Sequence, residues 1–454
     1  MKKISRRNFL QLAGVSTAAA AFAACSSDSS TTSTTSTTST DTSSDSSSED
    51  SSVGSEVGTA PGLTAGWWGT ESVHEYTIAA GDYYTEQTGI PIESTYLSWA
   101  DYWDKMTVLA ASGELVDIMR QDFSMLSQYA GNGLLAPLDE YIESGFIDTT
   151  NVDSSLLDGG YVNGSLYAIN VGSNALCCIC NTELIEGAGM TPPDETFTFD
   201  EFEAWQLEFT EKTGKYATTL QFYANSTPMF ESELRSAGKL LFKDGALNFE
   251  AADLQSYLER AKRLQDGGAI PNIELLSQEL NAEDSQFTKD NAALDAIWSD
   301  SVAAVVTVLD KPCTLTIIPG TGPTKGVYIK PSQLLAIPAK CEYKDDAANY
   351  INMWTNDSGF NAVLAGRRGV PINSEIADEV KQDLDANNQM VHDYIEFAMD
   401  YAQSITSPWP MGSSEVVTAF KTAVAETLYG ESSAADAAEK FMTNAAQILI
   451  DAQA

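Results

Sequence analysis

Residues 164–181 read GSLYAINVGSNALCCICN. Two short apolar runs, 166–171 and 175–179, flank Gly172-Ser173-Asn174. Runs of that length, rich in Ile, Val, Leu and Cys, read as buried strands, and a Gly-Ser-Asn break between them reads as a crossing point. The stretch is therefore expected to carry the chain out of one lobe and into a second. The remaining segments sort by the side of this crossing on which they fall.

The chain has 454 residues, of which 43% are hydrophobic. That is beyond the size at which a single core keeps growing, so two lobes are expected. The charge is lopsided, with 25 Lys+Arg against 64 Asp+Glu and a net −39. Such a surface repels phosphate backbones and argues against nucleic acid as a partner. A solvated acidic surface accounts for it, and so does a cationic ligand.

The first residues read as an address rather than as fold. Lys2, Lys3, Arg6 and Arg7 precede a short apolar stretch at 10–24, and Ser5-Arg6-Arg7-Asn8-Phe9-Leu10-Gln11 resembles a twin-arginine export signal. Phe22-Ala23-Ala24-Cys25 resembles a lipobox, although Leu is usual where Phe22 stands. That match implies cleavage before Cys25, lipid on its thiol and attachment to the outer face of the cell membrane. Losing residues 1–24 removes four bases and no acids, moving the net charge from −39 to −43. The following stretch, assigned to a tether at 25–61, is dominated by Ser, Thr, Asp, Glu and Gly, and is too polar to fold.

From residue 63 onwards strands and helices alternate. Strands are expected at 63–68, 90–97 and 116–120, with helices at 72–89, 101–112, 124–132 and 137–144. This is the pattern of an α/β lobe with a largely parallel sheet. Beyond the crossing, helices are expected at 182–189, 198–214 and 253–267, and strands at 314–319 and 330–338. Residues 291–307 form a small-residue segment around Trp298, and 320–326 form a loop rich in Gly, Pro and Thr. A helix at 345–356 follows, then a helical tail at 375–454 broken at Ser407-Pro408-Trp409-Pro410.

Trp67-Trp68-Gly69, Tyr102-Trp103-Asp104-Lys105, Gly133 to Asp139, Gly164 to Ile169, the helix opened by Asn181, Phe199 to Phe202, Gly366 to Pro371 and Trp409-Pro410 occur in that order. Together they resemble the extracellular solute-binding proteins of ABC importers, the group that includes maltose-binding protein. The resemblance spans residues 63–450. It implies a two-lobed α/β periplasmic-binding-protein (venus-flytrap) fold with a hinge and an interlobe ligand cleft. It places lobe I at 62–172 with 330–373, and lobe II at 173–329 with 374–454. It also implies a monomer that captures a solute by hinge closure and passes it to membrane permease subunits, with no catalysis and no cofactor.

A sugar site wants flat aromatic faces together with carboxylates, amides and Arg for hydroxyls. Trp67 and Trp68 end a strand, so one is expected to face the core and the other the cleft. Glu71 and Asp122 follow strand ends, as cleft acceptors or as helix caps. Trp99, Tyr102 and Trp103 have helical spacing, so Trp99 is either a core stripe member or a cleft residue. The resemblance adds Trp298 with Asp300, Trp409 held between prolines, and Arg367 of the Arg367-Arg368 pair. Trp205 and Trp354 read as core. The five cysteines after Cys25 are odd in number and have no nearby His. They read as buried thiols without a metal or an essential disulfide, with Cys313–Cys341 left open as a bridge. An oligosaccharide is the expected ligand. A cationic solute such as a polyamine, or a secreted glycoside hydrolase with two opposed carboxylates, are the alternatives.

Overall fold

The computed structural model describes residues 59–453, apart from 70, 220, 225–226, 279–283, 320–325, 404 and 406–407. The twin-arginine run, Cys25, the tether up to 58, Ser407 and most of the loop expected at 320–326 lie outside the described residues. In chain order the strands are β1 (Leu63–Trp68), β2 (Ile92–Leu97), β3 (Ile118–Gln121), β4 (Tyr161–Val162), β5 (Ser165–Leu166), β6 (Ile169–Asn170) and β7 (Ser173–Asn181). They continue as β8 (Tyr216–Thr218), β9 (Leu240–Lys243), β10 (Ala246–Asn248), β11 (Ala292–Trp298), β12 (Cys313–Thr316), β13 (Ile329–Pro331) and β14 (Leu334–Ala336).

Two five-stranded sheets organise two lobes. The first has the order β2-β1-β3-β14-β6; the second has the order β12-β7-β11-β8, with β13 also paired to β7. β1, β2 and β3 run parallel, as the alternation of strands and helices predicts. β14 adds antiparallel to β3 and β6, so the first sheet is only partly parallel, and the second sheet is mostly antiparallel. β7 pairs antiparallel with β11, β12 and β13, because it enters from across the hinge rather than through a helical crossover. The segment read as small residues around Trp298 is a central strand, β11, followed by the helix Val302–Leu309.

Side-chain alternation along the strands separates the cores. Leu63, Ala65 and Trp67 enter one cluster with Ile118, Leu335 and Trp354, whereas Trp68 enters another with Met119, Leu334 and Ala336. In β7, Leu176, Cys178 and Cys180 face one cluster, and Ala175, Cys177 and Ile179 face the opposite one. All nine residues of β7 are buried, which explains its near-continuous apolar run. The five described cysteines are free thiols, Cys313 and Cys341 included. Trp205 and Trp354 are both core residues.

The crossing is a ribbon of two chain segments. β6 pairs with β14 in the first sheet, and their continuations β7 and β13 pair in the second. Between them, Val171 N–H donates to Gln333 O at 3.0 Å and Ser332 N–H to Gly172 O at 2.7 Å. A third segment lies against the ribbon, where Ser173 N–H donates to Val370 O at 2.6 Å and Val370 N–H to Ser173 O at 3.2 Å. A Cβ on Gly172 would stand 2.5 Å from Arg368 O, so only glycine lets these backbones approach.

Local signals set the helix ends. Thr198 and Glu201 form a capping box for the helix Phe199–Thr213, and Gly214 ends it in the left-handed conformation at φ 70°. Trp99–Ser112 is capped by Ser98 and closed by Gly113 at φ 77°, two residues earlier at its start than the periodicity suggests. No helix among the described residues is long and apolar enough to cross a membrane.

Candidate functional site

A crevice of about 260 Å³ lies between the lobes. From the first lobe it is lined by Phe123 and Ser127, after β3, and by Tyr161, Val162 and Asn163 of the β4–β5 hairpin. From the second lobe come Glu231 and Arg235 of the helix Pro228–Ser236, Phe242, Lys243 and Asp244 of the β9–β10 hairpin, and the Pro408 to Met411 turn. One small hairpin from each lobe therefore borders the same opening.

Aromatic rings make the apolar part of this crevice. Trp409 is half-buried, 5.5 Å from the Phe242 ring and 6.3 Å from the Phe123 ring. Phe123, Tyr328 and Ile405 form a small cluster on which Trp298 and Trp409 both pack, so this cluster joins the lobes. Ser413 Oγ adds a polar tie by donating to Ser124 O at 3.1 Å.

The polar part is an ion pair. Arg235 donates from Nε and Nη2 to Glu231 Oε1 at 3.2 and 3.0 Å, while Tyr328 donates its hydroxyl to Glu231 Oε2 at 2.8 Å. The Arg235 guanidinium lies 4.2 Å above the Tyr328 ring. Burial and the neighbouring Glu231 hold the Tyr328 hydroxyl well above its usual range, so it stays a donor. Lys243 and Asp244 sit side by side at the hairpin turn. The charged residues lining the crevice thus balance, in a chain of net −39.

The residues singled out from sequence fall into three groups. Trp409 lines the crevice. Trp298 ends β11 beside it, 6.1 Å from the Tyr328 ring, with Lys330 Nζ 4.6 Å over its own ring. Asp300 is exposed two residues later, its N–H bonded to Asn174 Oδ1 at 3.2 Å. The other six do not line this crevice. Trp67 is a core residue, 2% exposed, whose Nε1 donates to His74 Nδ1 at 3.2 Å. Trp68 faces the other way and packs on Trp99, Tyr102 and Trp103 at 4.9–5.5 Å. Trp99 is 46% exposed at the start of its helix, so it edges this aromatic cluster rather than filling a core stripe.

Glu71 is the exposed first residue of the helix Glu71–Thr88. Asp122 spends one oxygen on Ser124, accepting from its N–H at 2.8 Å and its hydroxyl at 2.5 Å; this is a local Asx-turn and not a helix cap, since the N-cap of the helix Leu126–Gly131 is Met125. For the arginine pair the expectation needs correction. Arg367 is exposed and stacks on the Tyr76 ring at 3.9 Å, whereas Arg368 turns inward. Arg368 Nη2 donates to Val73 O at 3.2 Å and Thr77 Oγ1 at 2.8 Å, and burial, reinforced by Arg120, lowers its pKa to about 9. It ties the third hinge segment to the first helix.

Glu231 and Arg235 carried no expectation from the sequence, and Phe242 reads there only as the start of a turn, 242–245, not as a site residue. A signal was present: Pro228 in the first turn of a helix, followed by an oppositely charged pair at i, i+4.

A family model described as bacterial extracellular solute-binding protein matches residues 79–390, more than half of the chain. A model of the twin-arginine translocation signal sequence matches residues 3–23. A carbohydrate ABC transporter substrate-binding protein of Streptococcus pneumoniae is 32% identical over 105 residues, 23% of this chain. The match spans only 21% of that relative's length. Among solved structures, a periplasmic solute-binding protein of Pectobacterium atrosepticum aligns with TM-score 0.77 at 20% identity, covering 86% of this chain and 99% of the other. An oligogalacturonide-binding protein of Yersinia enterocolitica, in complex with saturated digalacturonic acid, aligns with TM-score 0.74 at 20% identity, covering 87% and 100%. At such identity these two likenesses concern the fold.

Proposed function

The chain belongs to the bacterial extracellular solute-binding proteins, carries a twin-arginine export signal, and we propose that it captures a saccharide for an ABC importer. The observation that carries this reading is the composition of the interlobe crevice. Trp409, Phe123, Phe242 and Tyr161 offer ring faces, and the Glu231–Arg235 pair and Asn163 offer polar partners for hydroxyls. A sugar presents apolar C–H faces and hydroxyls together, and so needs both.

The ligand lies between the lobes, and lobe closure holds it against the rings of Phe123 and Trp409, which pack on one cluster. Only contacts stronger in the closed state can drive that motion, and rings contributed by both lobes are such contacts. An oligosaccharide fits better than a monosaccharide, because the two hairpins extend the lining beyond the Trp409 ring. The crevice does not favour a polyamine: its carboxylates are accompanied by Arg235 and Lys243. The carbohydrate-transport relative supports a sugar.

Closed on its ligand, the protein delivers it to permease subunits while held to the membrane through lipid on Cys25. Mass spectrometry of the native protein is expected to find an acylated N-terminal Cys25; an unmodified secreted chain contradicts the anchor. Thermal-shift screening of the mature chain against neutral and acidic saccharides and polyamines tests the ligand class. Stabilisation by a saccharide supports the reading, and stabilisation by polyamines alone overturns it.

A further inference from the structure

We propose that Glu231 is a specificity-determining residue: it masks the charge of Arg235 at the crevice wall, so that the site takes uncharged saccharides and refuses uronates. The inference rests on the reading of the crevice as a saccharide site.

The geometry is that of a neutralised pair. Both side chains line the crevice yet are only 8% and 3% exposed, which leaves little water to screen either charge. Glu231 is fully engaged, with Oε1 accepting two N–H groups of Arg235 and Oε2 accepting the Tyr328 hydroxyl. Arg235 is not, since its other terminal nitrogen, Nη1, meets no acceptor among the described residues. The crevice therefore meets a donor whose positive charge is cancelled by a carboxylate about 3 Å away.

A sugar hydroxyl loses nothing by that cancellation, because it needs a donor and not a charge. A carboxylate must shed its hydration to enter, and a guanidinium already paired to Glu231 returns little of that cost. Glu231 itself repels the incoming anion, which is discrimination by a repulsive element. Lys243 and Asp244, adjacent at the β9–β10 turn, carry opposite charges and do not tip the balance.

The test uses matched pairs: a neutral oligosaccharide and its counterpart oxidised to the carboxylate at C6, titrated calorimetrically into the mature chain. Wild type is expected to bind the neutral member at least tenfold more tightly. In Glu231→Gln the guanidinium is unmasked and can take a carboxylate bidentately, so the neutral-to-acidic ratio is expected to fall tenfold or more. In Arg235→Met the carboxylate is unmasked, and the ratio is expected to rise. Melting curves establish that each variant is folded, and the wild-type ratio decides the matter alone if neither is. A wild type that prefers the oxidised member, or a ratio unmoved in folded Glu231→Gln, overturns the mask and leaves the saccharide reading standing. Binding of neither member of any pair overturns both.

Discussion

His74 shows what a single residue carries in this fold. Its Nδ1 accepts from the buried Trp67 indole, and its ring lies 4.5 Å from that of Tyr96. Burial lowers its pKa below the ordinary 6.5, against the pull of Glu71 and with the push of Arg368. His392, the other histidine, is lowered for the same first reason; Lys381 pushes it down while Glu396, Asp393 and Asp378 pull it up. A base whose folded pKa is depressed binds fewer protons folded than unfolded. Its contribution is whole above about pH 6.5 and is lost as pH falls towards the folded value. The melting temperature of wild type is therefore expected to drop more steeply below pH 6.5 than that of His74→Gln/His392→Gln. Parallel curves between pH 5 and 8 would contradict this. The comparison with the variant is needed because protonating an acidic surface of net −39 relieves repulsion and acts in the opposite sense. At this scale the sequence was half legible. Alternation along β1 said that Trp67 and Trp68 part company, but both turned out to be enclosed, one by core and one by other aromatic rings. Nor could it say which of Arg367 and Arg368 turns inward, because an irregular segment has no period to count.

Among the elements, the crossing ribbon was the most legible. An apolar run interrupted by Gly172 is visible without coordinates, and β6 and β7 lie on either side of that glycine. Its close contact supplies a test. In Gly172→Ala the new methyl meets Arg368 O at 2.5 Å and the Gly369 carbonyl carbon at 3.0 Å, and backbone cannot turn aside as a flexible side chain can. Overpacking of that kind costs about 1–3 kcal/mol, read as a lowered urea midpoint. Gly187→Ala, in a helix and with nothing within 4 Å, is the control expected at or slightly above the wild-type midpoint. Equal midpoints for both variants would mean that the three hinge segments part easily. The least legible element was the helix Pro228–Ser236. Its inward face carries Glu231 and Arg235 as well as Met229, Phe230 and Leu234, so no clean apolar stripe announces it. A buried ion pair looks in sequence like a solvated face. β11 was hidden differently, by small residues that pack at the centre of a sheet without looking strand-like.

For the whole molecule, the family's two-lobed architecture was legible because motif order survives where single motifs are weak. The crevice was less so, because it is assembled from loops and hairpins of both lobes, and Trp409 alone of the residues singled out lines it. The central claim is that a saccharide binds there against Trp409. The most direct measurement is isothermal titration of wild type and Trp409→Ala with the neutral oligosaccharide that most raises the melting temperature, and a melting curve of each protein. Trp409 is half-buried between prolines, so its loss is expected to leave the fold in place and to weaken binding tenfold or more, about 2 kcal/mol or above. Trp67→Ala marks the opposite behaviour, a core loss of about 3–5 kcal/mol in stability. Unchanged affinity in folded Trp409→Ala would contradict the account.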